Sequence, residues 1–149
     1  MKKNEVIELN GVEYTLELNR DSIAQIDQIC NIDKSMEIIS RGVYDYLEDI
    51  DDDYNPLEDG VNGEKIDKEL QIKEETLDKM AEKSFFIWLY PNHRLKISEV
   101  KEILRPYLKD PEKAEWIGEK LGEYIRKSME IRDEYNKQQK NLKALANKK

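Results

Sequence analysis

Apolar and polar positions alternate with a period of two over the first nineteen residues, then switch to helical spacing. Val6-Ile7-Glu8-Leu9 and Val12-Glu13-Tyr14-Thr15-Leu16-Glu17-Leu18 flank Asn10-Gly11. Asn-Gly suits a two-residue type I′ turn, in which both central residues need positive φ. With that turn, Leu9 faces Val12 and Ile7 faces Tyr14. One side of the ribbon then carries Ile7, Leu9, Val12, Tyr14, Leu16 and Leu18, and the other carries Val6, Glu8, Glu13, Thr15 and Glu17. A lone hairpin is barely stable in water, so this apolar side must rest on the helices that follow or on another subunit.

Asn19 to Ser22 offers several helix caps, and Ile23, Ile26, Ile29 and Cys30 follow at helical spacing. A second stretch over 34–49 carries Met36, Ile39, Val43, Tyr46 and Leu47, with Ile50 just beyond. Residues 48–64 combine like charges with Pro56, Gly60 and Gly63, which predicts a long acidic surface loop. Helical spacing returns over 65–90 through Ile66, Leu70, Leu77, Met80, Phe85 and Trp88, and Pro91 is expected to stop that helix. A short helix follows over 98–108. Asp110-Pro111-Glu112 supplies a cap, a first-turn proline and an acid at the positive dipole end. The last helix is expected from Pro111 to about Gln139, with Ile117, Leu121, Tyr124, Ser128, Ile131 and Tyr135 as a narrow stripe. The basic tail over 137–149 is expected to fray.

These elements predict a mainly α chain with an N-terminal β-hairpin, an α+β fold built as a small helical bundle. One domain is expected over 1–149: hairpin 1–19, helices 20–47, acidic loop 48–64, helical body 65–136 and a flexible basic tail 137–149.

Composition narrows the function. The 149 residues are 38% apolar and 39% charged, with 33 acids against 25 bases and a net charge of −8. That field disfavours nucleic acid and anionic membranes as partners. No secretory leader is expected after Met1-Lys2-Lys3-Asn4-Glu5, and the longest apolar block, Phe85 to Tyr90, is too short to cross a bilayer. The lone Cys30 suits a reducing cytoplasm, and Asp27 and Asp33 nearby argue against a reactive thiolate.

Catalytic and metal chemistry find little purchase. Asp49, Asp51, Asp53 and Asn55 fall at four ligand positions of a calcium loop, but Tyr54 and Gly60 stand where the turn glycine and the bidentate glutamate belong. His93 is the single histidine, which excludes a multi-histidine zinc site and a two-histidine relay. In Pro91-Asn92-His93-Arg94 it reads as structural or solvent-exposed. No glycine-rich phosphate loop is present. No catalytic residue, cofactor or metal is expected. The run Phe85-Phe86-Ile87-Trp88-Leu89-Tyr90 covers more than one helix face, so some of it must be covered by other helices or by a partner.

The order of parts resembles the tail assembly chaperones of long-tailed phages and prophages of Gram-positive bacteria. The opening, with Asn10-Gly11-Val12-Glu13-Tyr14-Thr15-Leu16, is similar to their hairpin. The segment Phe86-Ile87-Trp88-Leu89-Tyr90-Pro91-Asn92-His93-Arg94-Leu95, continuing through Glu99-Val100 to Ile103-Leu104, resembles their apolar helix, turn and short helix. The resemblance implies a non-enzymatic protein of the bacterial host cytoplasm that binds the tape measure protein during tube assembly, with the tail tube protein as a second expected partner. Self-association is a further expectation. The expected contact surface is the hairpin's outer edge and the last helix, through Ile117, Leu121, Tyr124, Ile131 and Tyr135. The alternative is an acidic inhibitor or nucleic-acid-mimicking decoy acting through Glu48 to Asp53.

Overall fold

The computed structural model describes residues 2–41 and 61–147. The chain is mainly helical, with an N-terminal hairpin. Strands β1 (Lys2–Leu9) and β2 (Val12–Asn19) pair antiparallel, with Leu9 opposite Val12 and Ile7 opposite Tyr14. Asn10 (φ 55°) and Gly11 (φ 79°) both adopt the positive φ that a type I′ turn requires. Ile7, Leu9, Leu16 and Leu18 are buried and Tyr14 is half-buried. Val12, beside the turn, stays 50% exposed and is the one residue of the expected face outside the core. The turn is tied down: the Asn10 N–H donates to Tyr107 Oη at 2.8 Å and Asn10 Nδ2 donates to the Ile103 carbonyl at 2.9 Å.

Helix α1 (Arg20–Cys30) starts at a capping box, in which Asn19 Oδ1 accepts from the Ser22 N–H at 2.7 Å and Ser22 Oγ accepts from the Asn19 N–H at 3.2 Å. Asn31 (φ 49°) then ends α1 and caps α2 (Ile32–Ser40). The second helix therefore starts before Lys34. Its left-handed junction is held by Asp27, whose Oδ1 accepts from the Ile32 N–H at 3.0 Å.

Helix α3 (Val61–His93) corrects two expectations. Residues 61–64 are helical and do not belong to a loop, because a single glycine lowers helix propensity by about 1 kcal/mol without breaking the backbone ladder. The rest of the expected loop, 48–60, lies outside the described residues. The helix also runs through Pro91 to His93. A proline this close to the end costs one bond in the last turn, and the helix closes at Arg94 (φ 52°), whose N–H donates to the Tyr90 carbonyl at 3.0 Å.

Helix α4 (Ile97–Leu108) follows Lys96, whose N–H donates to Glu99 Oε1 at 3.0 Å. Helix α5 (Pro111–Asn147) begins as expected, with Asp110 Oδ1 accepting from the Glu112 N–H at 3.0 Å. It does not end near Gln139, and the tail is helical as far as Asn147. Residues 137–146 contain no glycine or proline and are rich in Lys, Gln, Leu and Ala, which favours continuation. The described side chains of this last part are exposed.

The hairpin and the five helices of the described residues share one hydrophobic cluster. At its centre Phe85, Trp88 and Tyr124 meet edge to face, with ring centroids 5.7, 6.3 and 5.8 Å apart. Such contacts favour a single arrangement beyond area burial alone.

Candidate partner-binding groove

The expected contact residues divide sharply. Ile117 and Leu121 are fully buried, and Tyr124 is 2% exposed. They face the chain's own core, so no partner can reach them while the domain is folded. Burial and the neighbouring Glu123 and Glu5 push the Tyr124 phenol up to about 12, which keeps it neutral. Ile131 and Tyr135 are half-buried beside the start of α1, where the Arg20 guanidinium lies 3.8 Å from the Tyr135 ring centre. The stripe on α5 is thus mostly a packing face. Helical spacing identifies an apolar side but not what covers it.

The hairpin's edges are unlike. The Thr15 N–H of β2 donates to His93 Nε2 at 2.9 Å, and Asn92 Nδ2 donates to the Thr15 carbonyl at 3.4 Å. The end of α3 therefore covers that edge at Thr15. An accepting Nε2 places the ring proton on Nδ1. The ring also meets Tyr14 edge-on at 5.3 Å. His93 is a structural residue. It does not meet Cys30, which lies near Lys79 and Lys83, roughly three turns back along α3. Burial pushes the Cys30 thiol up despite those two lysines, which leaves it a poor nucleophile.

An accessible apolar feature lies elsewhere, between α1 and α3. Two open concavities of about 470 and 430 Å³ adjoin there and share Gln25, Phe86 and Ile87. Lys83, Gln28, Ile29 and Ile97 extend the groove at one end. Asn19, Asp21, Ser22, Tyr90 and Pro91 extend it at the other. Phe86 and Ile87 are half-buried, while Ile29 is 45% and Tyr90 44% exposed. From Lys83 to Pro91 the floor spans about 12 Å, or two helical turns.

The crowded run on α3 produces this floor. Phe85, Trp88 and Leu89 turn into the core, so Phe86, Ile87 and Tyr90 are left on its margin. Leu89 is fully buried, and Phe86 reaches the groove. Ile29 shares the helical spacing of Ile23, Ile26 and Cys30, but Ile26 and Cys30 lie about 40° apart on a helical wheel, and Ile29 falls about 60° to the other side of Ile26. That angular offset is the signal that could have marked it.

Among the described residues no cluster of His, Cys, Asp or Glu could hold a metal ion. The acidic run from Glu48 to Asp53 lies outside the described residues. No described helix is long and apolar enough to cross a membrane. Compared with known proteins, the chain matches no family model, no curated protein and no solved structure.

Proposed function

We propose that this chain is a non-catalytic assembly chaperone that shields apolar helical segments of another polypeptide, and that its partner is a phage or prophage tape measure protein. The observation that carries the reading is the open groove between α1 and α3, with Ile29, Phe86, Ile87 and Tyr90 presented along two turns. A groove of that length accepts apolar anchors at i and i+3 or i+4 of a docked helix. The resemblance of the hairpin and of residues 86–104 to tail assembly chaperones supplies the identity of the partner. A net charge of −8 keeps such a complex soluble before tube subunits displace the chaperone.

The groove replaces the α5 stripe as the proposed contact surface. Ile29→Glu and Tyr90→Glu test it, because both positions are exposed and tolerate charge without opening the core. In a host that co-expresses the tape measure protein, the wild type should co-purify with it and both variants should not. Equal recovery with either variant would remove the groove from the account.

A further inference from the structure

We infer that two copies of this chain associate by antiparallel pairing of β1 with β1, which joins the two hairpins into one four-stranded sheet. In the observed register, Leu9 pairs with Val12 across a two-residue turn. The hydrogen-bonded pairs of the hairpin are then at odd positions of β1, and the backbone groups of Lys2, Asn4, Val6 and Glu8 point away from β2. On β2 the outward groups of Thr15 are taken by His93 and Asn92, and the outward N–H of Asn19 by Ser22 Oγ. Among the described residues, nothing hydrogen-bonds the outward amides of Asn4, Val6 and Glu8. The β2 edge is thus covered at Thr15 and Asn19, where helix α3 and the start of α1 bond to it, and the β1 edge is left open. An open edge is a template for another strand.

Charge selects a second copy as the occupant. The strand begins Lys2-Lys3 and ends Glu8-Leu9. Outward backbone groups must face outward groups, so the sum of the paired residue numbers has to be even. Centring the two-fold axis on Glu5 places Lys2 opposite Glu8 of the second copy and Asn4 opposite its Val6. Each outward residue then finds a partner, and the opposite charges meet twice, each Lys2 being shared between Glu17 of its own chain, at 3.2 Å, and Glu8 of the other copy. Shifting the register by two residues one way loses both Lys–Glu pairs; shifting it the other way leaves Glu8 without a partner and sets Lys3 opposite Glu5, which Lys127 already holds at 2.8 Å. The axis also brings Glu5 opposite itself, and in each copy Glu5 already holds Lys127 Nζ at 2.8 Å, which offsets the repulsion. An open concavity lined by Glu8, Glu112, Lys113 and Trp116 leaves room for the incoming lysine, with the two carboxylates outnumbering the one ammonium there. Val6, 60% exposed on the outer face of the hairpin, gains a neighbour.

The test is the mass in solution, by sedimentation and light scattering from low micromolar to submillimolar concentration. The wild type should move from the 17.7 kDa monomer to twice that mass. Val6→Pro removes only an outward N–H and should weaken the dimer about tenfold or more while leaving the hairpin intact. Lys2→Glu and Glu8→Lys each put like charges in opposition and should be monomeric. Mixed one to one, they should form a heterodimer, because both Lys–Glu pairs are restored. Since Lys2 and Glu8 are exposed, this mixing experiment decides the matter even if Val6→Pro disturbs folding. A wild type that stays monomeric overturns the proposal. So does a dimer indifferent to the charge variants, which would place the interface elsewhere. A mixture that fails to associate does the same.

Discussion

Replacing His93 by alanine removes the group that covers the β2 edge at Thr15, and its cost can be worked out from three contacts. The Thr15 N–H loses an acceptor at 2.9 Å in a partly buried setting, which is worth about 1 kcal/mol net. The edge-on contact with Tyr14 at 5.3 Å adds about 0.5–1.5 kcal/mol. The Asn92 bond to the Thr15 carbonyl, at 3.4 Å and exposed, adds little. The sum is about 1.5–2.5 kcal/mol, and for a chain of this size each kcal/mol moves Tm by about 2–4 °C. Urea unfolding followed by tryptophan fluorescence reads the loss, because Trp88 is fully buried. His93→Gln returns an acceptor near the Nε2 position but not the ring, and should recover about half of the lost stability, since the bond and the ring contact are of similar size. A His93→Ala protein within about 0.5 kcal/mol of the wild type, the usual range for an unimportant surface site, would refute the claim that α3 holds the hairpin at Thr15.

Other substitutions probe separate parts of the fold. A Cβ at Gly118 meets Ile39 and Leu77 only at ordinary contact, 3.8 Å, so Gly118→Ala should stabilise by up to about 1 kcal/mol in the same unfolding assay. Burial, and Glu82, Glu74 and Glu75 around it, hold the Asp78 carboxyl above the usual carboxylate range. Its ionised form therefore costs stability. Asp78→Asn should stabilise by about 0.5 kcal/mol at neutral pH, and that advantage should vanish as the pH falls through the raised value and the wild-type carboxyl takes up a proton. Lys127 bridges Glu5 at 2.8 Å and Glu123 at 3.1 Å, tying the hairpin to α5, and Lys127→Ala should cost about 1 kcal/mol at pH 7. The hydrogen bond from Lys127 holds Glu123 below the usual carboxylate range, and the bonds that Lys127 donates to Glu5 and then to Glu123 hold its ammonium above the usual lysine value. The difference between variant and wild type should thus persist across the neutral range. It should disappear as acid protonates Glu123 below that range, or as base deprotonates Lys127 above its usual value.

What the sequence made legible was set by local chemistry. Asn10-Gly11 fixes the turn, the turn fixes the register, and the register assigns the buried face, so the hairpin follows from a dipeptide and an alternation. Asp110-Pro111 marks the start of α5 for the same kind of reason. Helix ends were less legible because they depend on what is missing. Nothing after Gln139 breaks α5, and Pro91 comes too late in α3 to stop it. The junction at Asn31 turns on a left-handed residue and on Asp27 reaching the Ile32 N–H, and neither has a strong signature in the spacing. The contact surface was the least legible part. Ile117, Leu121 and Tyr124 carry the pattern expected of a partner face, and the core takes all three. The groove instead collects Ile29 from α1 and Phe86, Ile87 and Tyr90 from α3, residues that come together only when the two helices pack.

The account rests on that groove holding an apolar helix of another polypeptide. Calorimetric titration of helical segments of the tape measure protein into the purified chain tests it most directly. The account predicts saturable binding by the wild type and binding at least tenfold weaker, a loss of about 1.4 kcal/mol, for Ile29→Glu and Tyr90→Glu variants whose thermal unfolding is unchanged. Absence of heat from the wild type, or equal affinity in all three proteins, would contradict it.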